Sequence, residues 1–385
     1  MREYLLCERI NMDIKLNKIA TNTGKERCYV HARGVLLHDG FGMITMQKLE
    51  LSGSDVFYGI EMIKSYDGFK TFTEPQYCEN LKRRYLDDKT SYVLCDATPY
   101  YHRASGKIIL TGHMAQYGED NKILGKLRKR EPLYAVYNTD NGDFEPFKTL
   151  QMPDNDEYYI SGAGCTQIVE CDNGDILMPI YYKGKSEDSN PNSCFASSIV
   201  RCSFDGENMH FIEIGDNITT EVPRGLYEPS LIKFGAEYFL TMRNDKTGFV
   251  TKGEDGLHFG EVRPITFDDG EDLGSYNTQQ HWLVGGGKLW LVYTRRAENN
   301  SHVFRHRAPL FIAEFDPERM CVLRDTERIA VPERGARLGN FGCQSYSDKE
   351  GYVYAAEWMQ SIGGAWDKCA AYGSDNSIFI SRITY

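Results

Sequence analysis

No stretch of this chain approaches the ~18 consecutive apolar residues of a membrane-spanning helix, so no helical span is expected. No two cysteines stand at CxxC spacing, which removes zinc-ribbon and thioredoxin-type chemistry. Positive charge is in deficit, with 44 Lys and Arg against 55 Asp and Glu and a net charge of −11. A nucleic-acid backbone is therefore not the expected partner. Leu/Ala/Glu/Lys-rich helical runs are absent, as are Pro/Ser-rich linkers, and residues 1–385 read as a single domain. The N-terminal MREYLLCERINMDIKLNK carries charges where a secretory leader needs its apolar core. With an odd count of eleven cysteines at irregular spacing, it points to a reducing, cytoplasmic setting in which thiols act as small apolar residues, or to a secreted protein if a leader has been removed.

What is present is strand. Aromatic residues make up 12% of the chain, 25 of them Tyr. Six apolar segments end at or next to a polar or charged residue: GMITMQ (42–47), KIILTGH (107–113), DILMPIYY (175–182), EYFLTMR (237–243), KLWLVYTRR (288–296) and YVYAAEW (352–358). Each ends about fifteen residues after the start of an earlier segment, which begins near Arg33, Asp96, Gln167, Glu228, His281 or Gln344. Turn residues join the pairs, as in HDG (38–40) and CDNGD (171–175). Repetition of an all-strand unit at about sixty residues is the signature of a propeller. The expected fold is all-β, a six-bladed β-propeller of four-stranded antiparallel blades. The N-terminal EYLLCERI would either close the ring or pack outside it.

Innermost strands of a propeller begin near its axis, so the polar residues that open and close each pair are the candidate site. Arg33, Asp96, His113, Glu228, Arg243, His281, Arg296 and Tyr346 stand out on otherwise apolar strands. The bland alternative is a wet, polar channel without chemistry. A short basic run, KLRKRE (126–131), reads as a solvated loop or as a contact to an anionic ligand. In PERGARLGNFG (332–342), Arg334 or Arg337 would reach the mouth of such a site.

Between third and fourth strands recur SYDGFKTF (65–72), NTDNGDFEPF (138–147), SFDGENMHF (203–211) and GEDGLHF (253–259). These resemble degenerate copies of the Asp box of the sialidase superfamily. The resemblance extends to residue order: Arg33 in HARGVLL, Asp55 in SGSDVFYG, Glu228 and Arg243 in LYEPSLIKFGAEYFLTMR, Arg307 in FRHRAPLFIAEF, and Tyr346 in QSYSDKEG. It implies an exo-sialidase-type retaining glycosidase acting on a terminal acidic sugar. Arg33, Arg243 and Arg307 would hold the sugar carboxylate, since guanidinium forks bind carboxylates bidentately. Tyr346 would be the nucleophile, Glu228 its base and Asp55 the acid/base. Arg-Gly-Val stands where the family has Arg-Ile-Pro, and Arg295, Arg296 and Arg305 compete with Arg307 as third ligand.

Other chemistries stay open on the same strands. LYEPSLIKFGAEYFLTM is also similar to the acid-Glu segment of arabinanase-type propellers, which would make Glu228 and Asp96 an inverting pair. A uronate-directed polysaccharide lyase would use Arg295, Arg296 or Arg307 with His113, His281 or Tyr to move a proton. A non-catalytic carbohydrate-binding platform needs only the arginines and aromatics. His302 and His306 would pair on a metal only if helical, and VFRHRAPLF reads as strand, so no metal is expected. No cofactor is implied, and the partner is an oligosaccharide or glycoconjugate.

Overall fold

The computed structural model describes residues 12–51, 55–124, 128–185 and 194–385. Six antiparallel sheets form a six-bladed β-propeller. The innermost strands are Arg27–Leu36 in blade 1, Ser91–His102 in blade 2, Tyr227–Phe234 in blade 4, His281–Gly285 in blade 5 and Gly342–Ser347 in blade 6. In blade 3 the inner strand is broken into Ile160–Gly162 and Val169–Glu170. Among the described residues the one α-helix is the short Trp366–Ala370, in the loop before the third strand of blade 6. EYLLCERI lies outside the described residues. The segment that follows it, Asp13–Ile19, pairs along its whole length with Ile378–Thr384 and becomes the outer strand of blade 6.

Alternation along the strands puts apolar side chains on both faces, and the core forms between neighbouring blades. Ile109, Tyr134 and Val136 of blade 2 meet Ile176, Met178 and Ile180 of blade 3, while Phe239 and Val250 of blade 4 meet Trp282 and Leu291 of blade 5. Each such side chain contributes about 1.5–3 kcal/mol by leaving water. Blades 1 and 6 approach so closely that a Cβ on Gly34 would meet the Tyr354 ring at 2.6 Å. The turn at 65–72 explains its own sequence. Asp67 accepts from the amides of Lys70 and Thr71, Ser65 accepts from the Phe69 amide, and the buried Phe69 ring packs on Tyr352 and Tyr354 of blade 6.

The fourth strand of blade 2 is two short pieces, Asp143–Phe144 and Lys148–Thr149, and one local expectation changes. VFRHRAPLF is not a continuous strand: Phe304–His306 forms a 3-10 turn with Arg305 at φ 57°, and pairing begins only at Leu310, beyond Pro309, which has no N–H to give.

Candidate functional site

At the opening end of every blade one residue adopts a left-handed backbone conformation. These are His31, Asp96, Cys165, Glu228, Asn277 and Asn340, with φ between 48° and 67°. In blades 1, 2 and 4 the cause is the same, an extra residue in the inner strand that shifts register between Val30 and Arg33, Cys95 and Thr98, and Tyr227 and Ser230. Bulges re-aim side chains, and non-glycine residues held at positive φ are strained positions that concentrate at functional sites. Here they turn side chains toward one another around the axis.

Hydrogen bonds knit half of this ring around Asp96. Asn340 Nδ2 donates to Asp96 Oδ1 at 3.1 Å and to His31 Nε2 at 3.1 Å. The Cys165 thiol donates to Asp96 Oδ1 at 3.0 Å and itself accepts from Arg33 Nη2 at 3.0 Å. Burial works against the charge on Asp96, but His31, His113, Arg33 and the Cys165 bond outweigh it and hold the carboxyl well below the ordinary range. His31 is pulled down by burial against the opposing pull of Asp96, and burial with the Arg130 charge lowers His113 to about 3. The Cys165 thiol is pushed well up by burial and by Asp96, so it stays protonated.

The other half is built on Glu228. Arg243 Nη1 donates to both carboxylate oxygens at 2.6 Å, and its Nη2 donates to Asn277 Oδ1 at 2.6 Å. Arg307 Nη2 donates to the Asn277 main-chain oxygen, and Arg305 Nη1 reaches Asn277 Oδ1 at 3.2 Å. Arg337 lies 3.3 Å over the Trp358 ring and donates to Gln360. Arg307 and Arg337 are each 3% exposed, and neither meets a carboxylate within ion-pair distance among the described residues. Burial, with Arg243 and Arg305 close by, lowers Arg307 to about 9, and burial with the Arg307 charge also holds Arg337 well below the ordinary guanidinium range. Asp96 and Glu228 are the carboxylates of the ring, with side chains 13% and 11% exposed. Tyr181, beside them, is within electrostatic reach of both.

The structure thus brings together Asp96, Glu228, Arg243, Arg307 and His113. Asp55 is exposed at the start of Val56–Ser65 and is felt by His31 and Arg337, which puts it at the rim. Arg33 is fully buried beneath the ring, and each of its three nitrogens already has an acceptor in Phe341 O, Ala97 O or Cys165 Sγ. His281 also lies below, buried against Phe341 and bonded to Ser230. Arg296 is exposed and stacked 4.4 Å over Tyr276.

Tyr346 is not brought to Glu228. It sits next to the hairpin turn of blade 6, its ring on His38 and Tyr352. Glu228 stands at the opposite end of its own hairpin, where Tyr227 pairs with Arg243. Six residues of extended chain separate Tyr346 from Asn340, about 20 Å, and Asn340 is the blade 6 residue at the ring.

His31, Cys95 and Asp96 offer ligand atoms within 4.8 Å of one another. A cation there would stand against the Arg33 guanidinium, 3.6 Å from Asp96 Oδ1, and would compete with the Asn340 and Cys165 donors. His302 and His306 do not converge, since His302 bonds Glu333 and His306 bonds Tyr276.

Comparison with solved structures places the chain among sialidase-type propellers by fold. It matches a Dyadobacter fermentans protein of unknown function at 13% identity and a TM-score of 0.62, over 96% of this chain and 99% of that one. It matches NanB sialidase of Streptococcus pneumoniae at 11% identity and a TM-score of 0.62, over 94% of this chain and 70% of the enzyme. A Trypanosoma rangeli sialidase mutant matches at 11% identity and a TM-score of 0.58, and the chain spans 58% of its length. No protein-family profile and no curated protein matches the sequence.

Proposed function

We propose that this protein is a glycoside hydrolase that cuts next to a sugar bearing a carboxylate, by direct attack of water. The observation that supports it is the pair Arg307 and Arg337, buried cations without a carboxylate partner among the described residues, Arg307 within electrostatic reach of Glu228 and Arg337 of Asp55. A buried charge of this kind is costly until an anion joins it, and the sugar carboxylate is that anion. Exposed Arg305 completes its seat. Asp96, held ionised, takes a proton from water as its oxygen bonds to the anomeric carbon. The glycosidic C–O bond breaks, and Asp55 at the rim gives its proton to the leaving oxygen. Glu228 and Arg243 lock each other and Asn277 in place. Asn340, and not a tyrosine, stands at the blade 6 position, so the covalent step of a Tyr/Glu pair is left out and the anomeric configuration inverts.

The test is a panel of chromogenic sialosides, uronides and neutral pentosides, with the product anomer followed by NMR. The expected result is release from an acidic glycoside with inversion, reduced at least a hundredfold in Asp96→Asn and kept in Tyr346→Phe. Retention together with collapse in Tyr346→Phe would restore the Tyr/Glu mechanism. An unsaturated, ultraviolet-absorbing product would mean a lyase, and binding without turnover a recognition module.

A further inference from the structure

Across the ring from Arg307, where blades 2 and 3 meet, Arg130 bridges through its main chain to Ile160 and Ser161. It belongs to the basic run that reads as solvated, yet the residue is 8% accessible. Its Nε and Nη2 are shut off from solvent without a partner, and among the described residues its side chain donates no hydrogen bond and meets no carboxylate. Its guanidinium lies 4.6 Å from the Tyr181 ring centre and 5.6 Å from that of Phe195. Aromatic faces offset part of the cost of burying a cation but supply no lone pair. Arg128 adds a second positive charge, and burial and the Arg130 charge together push its guanidinium down. On the axis side, Arg130 adjoins His113 and Tyr181, both of which feel Asp96.

We propose that Arg130 marks a second anion subsite, so that the glycan carries negative groups on both sides of the bond that is cut. The second group is a carboxylate or a sulfate ester on the sugar next to the one held by Arg307 and Arg337. This rests on the glycosidase reading, and a lone acidic sugar capping a neutral chain would leave the Arg130 charge unmatched.

The probes are two linked sialic acids, two linked uronates, and a uronate joined to a sulfated hexosamine, each against its counterpart with a neutral second sugar. Both kcat/KM and calorimetric Kd are measured for the wild type, Arg130→Met, Arg130→Lys and, as a surface control, Arg382→Gln. The dianion should be preferred at least tenfold, about 1.4 kcal/mol. Arg130→Met should bring that ratio to within twofold, with partial recovery in Arg130→Lys. The uronate and sulfate arms identify the group. Removing a buried charge that lacks a partner should also hold the melting temperature of Arg130→Met or raise it by about 1–5 °C. No dianion preference in the wild type, a preference that survives Arg130→Met, or one lost together with a fall in melting temperature above about 3 °C overturns the subsite. A binding preference that Arg130→Met removes, without turnover of any probe, upholds the subsite and rejects hydrolysis. Absence of binding to every probe overturns it.

Discussion

Replacing Arg243 by Met tests whether the Glu228 half of the ring is held by its ion pair. The substitution keeps the length of the side chain and removes the donors that grip both oxygens of Glu228 at 2.6 Å and Asn277 at 2.6 Å. Both side chains are about nine-tenths buried. Breaking such a pair strands a carboxylate and costs about 3–5 kcal/mol, whereas removing both charges is close to neutral. For 385 residues at about 2.1 cal/mol/K each, the unfolding entropy is about 0.8 kcal/mol/K. The melting temperature of Arg243→Met should thus fall by about 4–6 °C. The double variant Glu228→Gln with Arg243→Met should recover most of that loss, giving a coupling of at least about 2 kcal/mol. The assay is calorimetry of the four members of the cycle at neutral pH. A fall below 1 °C for Arg243→Met, or a double variant equal to the sum of the singles, would refute the reasoning.

Four other outcomes follow from the geometry. His281 is buried neutral, lowered to about 3 by burial and Arg33. Its unfolded form binds a proton first, so stability present above about pH 6.5 declines toward pH 3 by up to about 1.4 kcal/mol per unit. His281→Gln should flatten that acid limb by about 2 °C per unit in a melting series, and an unchanged slope would count against it. Arg307→Met should raise KM for the acidic glycoside about tenfold or more, with little effect on any residual cleavage of neutral glycosides, as read by steady-state kinetics. Tyr346→Phe should keep wild-type kcat/KM within twofold, because the ring lies against His38 and Tyr352. A Cβ on Gly164 would meet His113 Nδ1 at 2.0 Å and Asp96 Cβ at 2.9 Å. Gly164→Ala should therefore cost about 1–3 kcal/mol in denaturant melts and disturb the Asp96 cluster.

The blades were readable because each strand pair repeats one design and each hairpin announces itself by Asp, Asn and Gly. Glu228 and Asp96 land in the ring because their inner strands open at the axis. In the other blades the axis lies two to four residues before the place where apolar alternation begins: His31 rather than Arg33, Cys165 rather than Gln167, Asn277 rather than His281, Asn340 rather than Gln344. Strand pattern reports where pairing starts, while the site depends on where the backbone turns left-handed. The asparagines at 277 and 340 carried a usable signal, since Asn tolerates positive φ better than most residues. Tyr346 was marked by its order in the chain, which says nothing about which end of a hairpin faces the axis. Arg130 was hidden by its neighbours, because a run of charges reads as solvated whatever one member packs against.

The ring of left-handed positions has a consequence for how such a molecule can change. Six sites, one to a blade, present side chains to a common centre from places set by the main chain, and no blade needs to be redrawn when one of them is exchanged. The backbone also limits the alphabet: Asn, Asp, His and Gly enter such a position readily, while Val, Ile and Thr pay a steric penalty there. A lineage can therefore spell a new specificity with single substitutions, one blade at a time, from a short set of letters that are mostly polar and able to bind or to react.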